Sequence, residues 1–263
     1  MKIGTQPDVR HNLREAFEFV VDNDFNHIEL LMDHPFFCLE SINHDELIEL
    51  VWSYDVELLL HAPATSTNFI SISETMRRAS YEEMEKVLRL ADKCCARVVT
   101  FHIGWNPSFV NNGSFYFDHE TFEKHNARVL REELKPFLQH SPVTLALENT
   151  IPIEGEFKAA LKEILDETNL ALTLDIGHYN VSRCDFFIEN FERVVNIHVH
   201  DNNGKRDEHI ALGKGIVDLK KFPLEKFDGY LTIETREVNS ILETRDYLIR
   251  YLNELYDRQR NRV

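Results

Sequence analysis

Histidines and acidic residues stand at or just beyond the ends of short apolar runs throughout the sequence. They are Glu29, His61, His102, Glu148, Asp175, His178, His198, His200, Glu234 and, within one loop, Asp207 and His209. Imidazole nitrogens and carboxylate oxygens are ligands for first-row divalent ions. If these side chains meet at one place, the sequence predicts a metal site able to polarise a carbonyl group or activate water.

Each of these residues has a plainer interpretation when it is taken alone. A single inward histidine is more often a hydrogen-bonded core residue, and a lone glutamate could be paired with an arginine. The set is different, because crowded carboxylates and imidazoles would repel one another and lose solvation unless cations neutralised them. A divalent metal is the simplest way to stabilise such a group.

Two subsets of these residues favour different ions. Glu148, Asp175, His198 and Glu234 combine carboxylates with one imidazole, which suits Mn²⁺, Co²⁺, Zn²⁺ or Mg²⁺ better than copper or an iron–sulfur cluster. The histidine-rich flank favours Zn²⁺, and its members are His61, His102, His178 and His209. The spacing leaves open whether one ion or as many as three bind, and whether His198 or His200 is the ligand.

Eight apolar runs alternate with amphipathic stretches along the chain, and no Pro/Gly/Ser-rich linker separates them. The predicted strands are Lys2–Thr5, His27–Met32, Val56–His61, Arg97–Ile103, Val143–Glu148, Leu170–Asp175, Val194–His200 and Tyr230–Glu234. The predicted helices are Asn12–Asn23, His44–Tyr54, Glu74–Lys93, His119–Gln139, Glu156–Glu167, Asp185–Phe191, Leu219–Phe222 and Ser240–Asp257. This alternation predicts an α/β fold, a single-domain (β/α)₈ TIM barrel over residues 1–263.

Side chains alternate between apolar and polar within the later runs, as barrel strands require. In the seventh run Val195, Ile197 and Val199 are predicted to face the helices, and the polar residues between them the barrel axis. No Gly-x-Gly-x-x-Gly follows the first run, which disfavours a Rossmann sheet. In TIM barrels the active site lies at the carboxyl ends of the strands, where the histidines and acidic residues stand.

The composition limits the class of protein. The chain has 263 residues, 43% of them hydrophobic, and its 29 Lys+Arg against 45 Asp+Glu give a net charge of −16. These values exclude a disordered chain and disfavour non-specific binding to nucleic acid. No apolar run approaches the ~18 residues of a membrane span, and the start lacks a signal-peptide stretch, so a cytoplasmic protein is predicted. The four cysteines are predicted to be buried thiols, and the oligomeric state stays open.

Short motifs at the predicted strand ends resemble those of one family. They are His61-Ala-Pro63, Phe101-His-Ile-Gly104, Leu147-Glu-Asn-Thr150, Leu174-Asp-Ile-Gly-His178, Ile197-His-Val-His-Asp201, Asp207-Glu-His209 with Leu212-Gly-Lys-Gly215, and Ile233-Glu-Thr235. Along essentially the whole chain the sequence resembles the xylose isomerase-like TIM barrels. That family includes sugar and sugar-phosphate isomerases and epimerases and also endonuclease IV.

The resemblance implies a metal held by the residues at Glu148, Asp175, His198 and Glu234, and it favours His198 over His200 as the ligand. In the endonuclease IV branch it implies two further zinc ions. One would be held by His61, His102 and a bridging Glu148, and the other by His178, Asp207 and His209. This sequence has a ligand at each of these positions, which favours a multinuclear site.

Features outside the ligands disfavour the nuclease. Endonuclease IV has a tyrosine, wedged into the duplex, three residues after its first zinc histidine, and Ala64 stands at that position here. The loop Asp33–Cys38 has no lysine or arginine for phosphate contacts. An endonuclease IV-like AP endonuclease is therefore the alternative, and a non-catalytic sugar or metal binder is a third hypothesis.

The favoured interpretation is a metal-dependent isomerase or epimerase of a small sugar, hydroxy-ketone or sugar phosphate. The metal would bind the carbonyl and the adjacent hydroxyl and acidify the proton between them, giving an enediolate. Glu148 and Glu234 are the predicted acid/base pair, and His178 is predicted to bond a substrate oxygen. The candidate substrate contacts are His61, His102, Trp105, Lys205, Arg206 and Arg236.

Aromatic residues in two loops have alternative roles, since they could stack on a sugar or pack on one another to cap the barrel. They are Phe36, Phe37, Trp105, Phe109, Phe115, Tyr116 and Phe117. Within the second of these loops, Asn111-Asn-Gly113 predicts the turn of a small hairpin.

Overall fold

The barrel predicted from the sequence is confirmed by the structure, a computed structural model that describes residues 1–116 and 118–260. Its strands are β1 (Lys2–Thr5), β2 (His27–Leu31), β3 (Glu57–His61), β4 (Val98–Phe101), β5 (Phe109–Asn111), β6 (Ser114–Tyr116), β7 (Thr144–Glu148), β8 (Ala171–Asp175), β9 (Val194–Val199) and β10 (Tyr230–Ile233). All but β5 and β6 form one closed parallel barrel in the order β1-β10-β9-β8-β7-β4-β3-β2.

Helices pack around the outside of the barrel. They are α1 (Leu13–Asp22), α2 (His44–Tyr54), α3 (Glu74–Lys93), α4 (His119–Val129), α5 (Lys135–Leu138), α6 (Gly155–Glu167), α7 (Ile176–Ser182), α8 (Phe186–Glu189) and α9 (Val238–Arg260). A π-helical turn, Leu130–Leu134, joins α4 to α5, so the predicted helix His119–Gln139 is continuous but not uniform. In the part of the chain that the structure describes, no helix is long and apolar enough to cross a membrane.

Capping side chains fix where three of the helices begin, and therefore where the loops at the carboxyl end of the barrel stop. Asn12 and Glu15 form a reciprocal capping box at α1. Asn43 accepts two backbone N–H bonds at the start of α2, and Ser73 accepts one at the start of α3. Such caps typically contribute about 1 kcal/mol each, because they satisfy backbone donors that the helix leaves unpaired.

Small apolar residues fill the barrel interior towards the amino-terminal ends of the strands. Leu59, Val98, Ala146 and Ala171 are all buried and form a cluster separate from the main core. We refer to these four residues as the apolar plug. The main core lies between the barrel and the helices and contains the outward residues of the strands, such as Leu172 and Ile197.

A layer of polar side chains lies between the apolar plug and the carboxyl end of the barrel. This polar layer consists of His27, Glu29, Thr100, Thr173, Asn196 and Thr232, all fully buried. The Thr100 and Thr173 hydroxyls are 2.9 Å apart, Thr232 donates to Asn196 Oδ1 at 2.8 Å, and Asn196 Nδ2 donates to Glu29 at 2.8 Å. His27 Nε2 lies 2.8 Å from the Thr232 hydroxyl. Hydrogen bonds between strands therefore compensate for the burial of these groups. The exception is His27 Nδ1, which is buried and has no hydrogen-bond partner among the described residues.

The predicted outward position of Val195 is wrong. Leu172 pairs with Val194 but the next residue, Thr173, pairs with Asn196, so the register shifts and Val195 is an extra residue in β9. A bulge of this kind changes which face a side chain occupies. Val195 accordingly packs against the apolar plug, whereas Ile197 and Val199, beyond the bulge, face the helices as predicted.

Three local features complete the comparison with the sequence. The predicted hairpin is confirmed, with Asn111 paired to Ser114 and positive φ angles of 49° at Asn112 and 77° at Gly113.

Helix α7 is not among the predicted elements, because it starts at the residue after β8 with no intervening loop. The prediction of four buried thiols is wrong for Cys95, which is exposed in the turn after α3, and for Cys38, which is half-buried.

Candidate metal centre

The predicted ligands converge at the carboxyl end of the barrel. His61, Glu148 and Asp175 are the last residues of their strands, and His198 lies one residue before the end of β9. His102 and Glu234 directly follow β4 and β10. Their donor atoms and those of neighbouring loop residues form groups in which all donor atoms lie within 4.8 Å of one another. The strand ends of a parallel barrel all open on the same face, so this convergence follows from the topology.

The central group consists of Glu148, Asp175, His198 and Glu234. His198 Nδ1 lies 2.9 Å from Glu234 Oε2, 3.5 Å from Glu148 Oε1 and 3.9 Å from Asp175 Oδ2. His198 Nδ1, Glu148 Oε1 and Glu234 Oε2 are buried and have no hydrogen-bond partner of suitable geometry among the described residues. Buried lone pairs that face one another without donors are costly, and a divalent cation would satisfy them.

Glu29 lies beside the nitrogen of His198 that points away from the central group. His198 Nε2 lies 2.9 Å from Glu29 Oε1, and Glu29 also accepts from Gln6 Nε2 at 3.0 Å and from Asn196. The contact of His198 Nε2 with Glu29 does not have the geometry of a hydrogen bond. A carboxylate can only accept, so a proton on His198 Nε2 would face Glu29 and would leave Nδ1 free to bind a cation in the mouth. Glu29, predicted as a potential ligand, is in none of the donor groups. It contacts His198 on the side of the ring that faces the polar layer.

The first flanking group consists of His61, His102 and Glu148. The Nε2 atoms of both histidines lie 3.0 Å from Glu148 Oε2. His61 Nδ1 donates to the backbone carbonyl of Ala62 at 3.0 Å, so its Nε2 lone pair faces the carboxylate oxygen. Glu148 thus turns one oxygen towards this group and the other towards the central group, which is the arrangement of a bridging ligand.

The second flanking group consists of His178, Asp207 and His209. Asp207 Oδ2 lies 3.1 Å from His178 Nε2 and 2.7 Å from His209 Nε2. His209 Nδ1 donates to the backbone carbonyl of Glu234 at 2.7 Å, so its Nε2 also presents a lone pair to a carboxylate. Each of the three groups therefore contains one histidine whose free nitrogen faces an acidic oxygen, and each such contact needs a proton or a metal cation.

His200 forms a fourth donor group with His209 and Glu234, between the central and second flanking groups. Its Nε2 is 3.0 Å from Asp175 Oδ1 and 3.4 Å from Asp207 Oδ1, and its ring stacks on His209 with the centroids 4.0 Å apart. Burial lowers the pKa of His200, but the carboxylates, Asp175 first, raise it to about 9. Gly177 makes room for this ring, since a Cβ there would lie 1.9 Å from His200 Cε1. His198, not His200, belongs to the central group.

The charges in the mouth balance one another through protons. Burial raises the pKa of Glu148 and Glu234. The surrounding imidazoles and, for Glu234, also the Arg236 guanidinium outweigh burial and hold both carboxyl pKa values well below their usual range. Burial lowers the pKa of His198, and the carboxylates around it raise that pKa well above the usual range. Metal binding at these groups would displace imidazole protons, so affinity is expected to rise with pH.

The predicted substrate contacts differ in their exposure and in whether they touch a residue of the donor groups. Arg236 bonds Glu234 and donates from Nε to Gln6 Oε1 at 2.8 Å. Trp105 is 47% exposed on the loop after β4. Lys205 and Arg206 are exposed and make no ion pair with any described residue, whereas Lys214, on the same loop, pairs with Glu243 at 3.3 Å. Arg236 is therefore the cation in direct contact with a central ligand.

The aromatic residues of the two loops differ in how far they are buried. Phe37 is buried and packs against His34 and Phe36. The remaining described aromatic residues of these loops are about half-exposed or more; they are Phe36, Trp105, Phe109, Phe115 and Tyr116. Phe117 lies outside the described residues. The loop after β4 thus presents a largely exposed aromatic surface rather than a closed cap.

Two supporting residues were not found from the sequence. Asn149 clamps the backbone of Asp175, accepting from its N–H at 2.7 Å and donating to its carbonyl at 2.9 Å. Asp33 accepts from the backbone of Ala64 and Thr65 and so ties the loop after β2 to the loop after β3. The position of Asn149 directly after Glu148 could have indicated a residue near the site. The sequence does not show, however, that its side-chain amide bonds the backbone of the neighbouring strand.

Comparisons with known proteins agree with this architecture. The family model described as xylose isomerase-like TIM barrel matches residues 17–255. An uncharacterized protein of Methanocaldococcus jannaschii is 29% identical over 264 residues, which are 97% of this chain and 99% of that protein. A probable endonuclease 4 of Aquifex aeolicus is 24% identical over 226 residues, 74% of this chain and 76% of that protein.

Solved structures with the same fold include sugar epimerases. A D-tagatose 3-epimerase-like protein matches with a TM-score of 0.79 and 26% identity, covering 98% of this chain and 99% of its own. The IolI protein with a bound zinc atom has a TM-score of 0.73 and 18% identity over 97% of this chain and 99% of its own. The Escherichia coli 3-keto-D-glucoside 4-epimerase has a TM-score of 0.73 and 15% identity over 94% of this chain and 98% of its own.

Proposed function

Because the chain belongs to the xylose isomerase-like TIM barrel family, we propose that it is a metal-dependent isomerase or epimerase of a small sugar, hydroxy-ketone or sugar phosphate. One observation carries the proposal. Glu148 and Glu234, from strands separated by β8 and β9, each keep one buried oxygen without a hydrogen-bond partner and aim it at His198 Nδ1. Two carboxylates on either side of one position are what reversible proton transfer at a carbon requires.

The residues that would hold the metal are those of the central group, with further ions in the flanking groups. Oxygen-rich donors with one imidazole fit Mn²⁺, Zn²⁺, Co²⁺ or Mg²⁺, and the more histidine-rich flanking groups fit Zn²⁺. When bound, such an ion supplies Lewis-acid stabilisation of the negative charge that develops on the substrate oxygens. The proposal therefore includes between one and three divalent ions per chain.

The two glutamates would transfer the proton. Their pKa values are held low, despite burial, by the neighbouring imidazoles and, for Glu234, also by Arg236, so both are ionised near neutral pH and either can act as a base. One, as the carboxylate, would take the proton from the carbon beside the carbonyl, and the other, after taking up a proton from solvent or a neighbouring imidazole, would give a proton back from its own side of the barrel. Return to the opposite face of the same carbon gives an epimer, and return to the neighbouring carbon gives an aldose–ketose isomer.

Other mouth residues would bind the sugar. His178 Nδ1 is buried, has no partner of suitable geometry among the described residues, and lies 3.2 Å from Glu148 Oε1, where it can contact a substrate hydroxyl. The exposed Trp105 offers a ring face for stacking. Lys205 and Arg206 are exposed and could take the phosphate of a sugar phosphate. His61 and His102 either hold an ion or orient the sugar.

Solvent isotope exchange tests the proposal across many candidate substrates at once. The metal-stripped protein is reloaded separately with Mn²⁺, Zn²⁺, Co²⁺ or Mg²⁺ and incubated in D₂O with a panel of ketohexoses, pentuloses, trioses and their phosphates. Loss of the NMR signal of the proton beside the carbonyl, together with a new sugar, is the expected result. Binding of a sugar without exchange would favour a non-catalytic binder instead.

A second candidate is phosphodiester hydrolysis at abasic sites, and one observation favours it. The central and first flanking groups share Glu148, and a fourth group, His200, His209 and Glu234, shares Glu234 with the central group and His209 with the second flanking group, which suits a multinuclear zinc cluster that activates water. A probable endonuclease 4 is also among the relatives. Elemental analysis that finds three zinc ions per chain, together with cleavage of an abasic duplex, would favour the nuclease over the isomerase. A single ion without cleavage would reject it.

A further inference from the structure

A long loop at the barrel mouth brings Asp207 and His209 to the second flanking group. It runs from the end of β9 to the 3₁₀ turn that starts at Leu219, and we refer to residues 201–217 as the clamp loop. Its first residue, Asp201, pairs with Ile210 in an isolated antiparallel bridge, with N–O distances of 2.8 and 3.0 Å. The segment between these two residues carries both ligands.

Asp201 holds the rest of the clamp loop through its side chain. The carboxylate is fully buried. Its Oδ2 accepts from the backbone N–H groups of Gly213 at 2.8 Å and Gly215 at 3.0 Å, and its Oδ1 accepts from Val217 at 2.9 Å and Asn202 at 2.9 Å. Four N–H donors satisfy this buried charge, so it has no need of a metal or a basic side chain.

The glycines of Leu212-Gly-Lys-Gly215 are explained by this contact. A Cβ on Gly215 would lie 2.4 Å from Asp201 Oδ1, and Gly213 has a φ of 88°, a conformation that other residues rarely adopt. The amides of this glycine motif are used by Asp201 and are not free to bind a phosphate. The motif is therefore part of a loop closure whose centre is Asp201.

The hydrogen bonds of the clamp loop also explain the unusual backbone conformation of His209. His209 has a φ of 47°, in the left-handed region, and its Nδ1 is held by the Glu234 carbonyl so that Nε2 faces Asp207. An isolated loop would not keep a histidine in this conformation. The hydrogen bonds on either side of it, at Asp201–Ile210 and at Gly213, restrict the backbone that carries it.

We propose that Asp201 is a positioning residue that forms the second flanking group in advance of metal binding by closing the clamp loop on its carboxylate. This inference rests on the proposed metal dependence and concerns one group of ligands. It assigns to Asp201 no contact with substrate or metal. Residues that orient ligands typically change metal affinity by ~10–100-fold when they are altered.

The test compares metal titrations of stripped protein by elemental analysis and Co²⁺ absorption. Asp207→Asn removes a ligand and identifies the ion held by the second flanking group. Asp201→Asn and, as an independent variant that keeps the carboxylate, Gly215→Ala are expected to bind that same ion ~10–100-fold more weakly while the remaining ions are retained. In the metal-free Asp201→Asn protein, amide exchange at Gly213, Gly215 and Val217 is expected to rise.

A matched control separates positioning from general destabilisation. Asp8 is also fully buried and accepts from the backbone of Arg10 and Val238, on a different loop. Asp8→Asn is expected to keep every ion even if its melting temperature falls. Wild-type affinity in both Asp201→Asn and Gly215→Ala would overturn the inference. Equal metal contents of Asp207→Asn and wild type would also overturn it but leave the central group and the proposed isomerase intact. A wild-type protein that binds no metal at all would reject both.

Discussion

The mouth of the barrel and the polar layer beneath it are made of similar residues but differ in how their polar atoms are paired. In the polar layer, Thr100 bonds Thr173, and Asn196 bonds both Thr232 and Glu29. In the mouth, closer to the carboxyl ends of the strands, Glu148 and Glu234 keep buried oxygens without hydrogen-bond partners among the described residues. Polar composition is thus common to both regions, and unpaired lone pairs that converge distinguish the region that can bind and react.

The largest effect that would test this contrast is expected at Glu148. Glu148→Gln keeps the shape of the side chain but removes the base, so turnover is expected to fall by ~10²–10⁴-fold in the isotope-exchange assay. Metal content, measured on the same sample, separates loss of the base from loss of an ion. Undiminished turnover with metal still bound would show that the acid/base assignment is wrong.

The next effect concerns Glu29, where the two regions meet. Glu29→Gln removes the negative charge 2.9 Å from His198 Nε2 and is expected to weaken binding at the central group by ~10–100-fold. Calorimetric titration of stripped protein with Mn²⁺ or Zn²⁺ measures this change. Gln6→Ala, which removes a different partner of the same carboxylate, is the comparison variant. If Glu29→Gln bound metal as tightly as wild type, the polar layer would not orient the mouth.

A pH effect is expected from His27, deep in the polar layer. Burial lowers the pKa of His27 to about 3 from an ordinary value of 6.5. Between these two pH values the unfolded chain takes up a proton that the folded protein does not. The contribution of neutral His27 to the free energy of unfolding is therefore fully present above pH 6.5 and is lost as the pH falls towards 3. His27→Gln should remove about 1.4 kcal/mol per pH unit of this decline.

Denaturant unfolding at a series of pH values from 7 to 4 measures the slopes. His140→Gln, at an exposed histidine, is the control and should retain the wild-type slope. Equal slopes for wild type and His27→Gln would mean that His27 takes up its proton in the folded barrel.

The smallest effect is expected at Thr173. Thr173→Val conserves shape but removes the hydroxyl that bonds Thr100, which is expected to cost about 1 kcal/mol of unfolding free energy. Turnover and metal content should stay within about twofold of wild type, since this bond lies below the donor groups. A tenfold loss of turnover without loss of metal would show that the polar layer takes part in the chemistry and would remove the contrast between the two regions.

The sequence predicts the barrel and the meeting of the donors because both follow from local rules. Strand side chains alternate with a period of two, and parallel strands place their carboxyl ends on one face. The position of His61, Glu148 and Asp175 at the ends of their strands is enough to place them in one mouth. Their catalytic and metal-binding roles stay predictions that the experiments above test.

What the sequence could not predict depends on pairing between distant segments. The bulge that turns Val195 inward is a mismatch between β8 and β9, and neither strand shows it alone. Glu29 looks like another ligand until its contact with His198 Nε2 is known. The partners of Asp201 are backbone N–H groups, which nearly every residue has. The residue types of the clamp loop therefore do not show which N–H groups Asp201 will accept from.

The apolar plug has a consequence for the traffic of molecules. Leu59, Val98, Ala146 and Ala171 fill the barrel axis on the side away from the donor groups. Under the proposed function, substrate would enter and product would leave through the carboxyl-terminal mouth. A product molecule still bound there would delay entry of the next substrate.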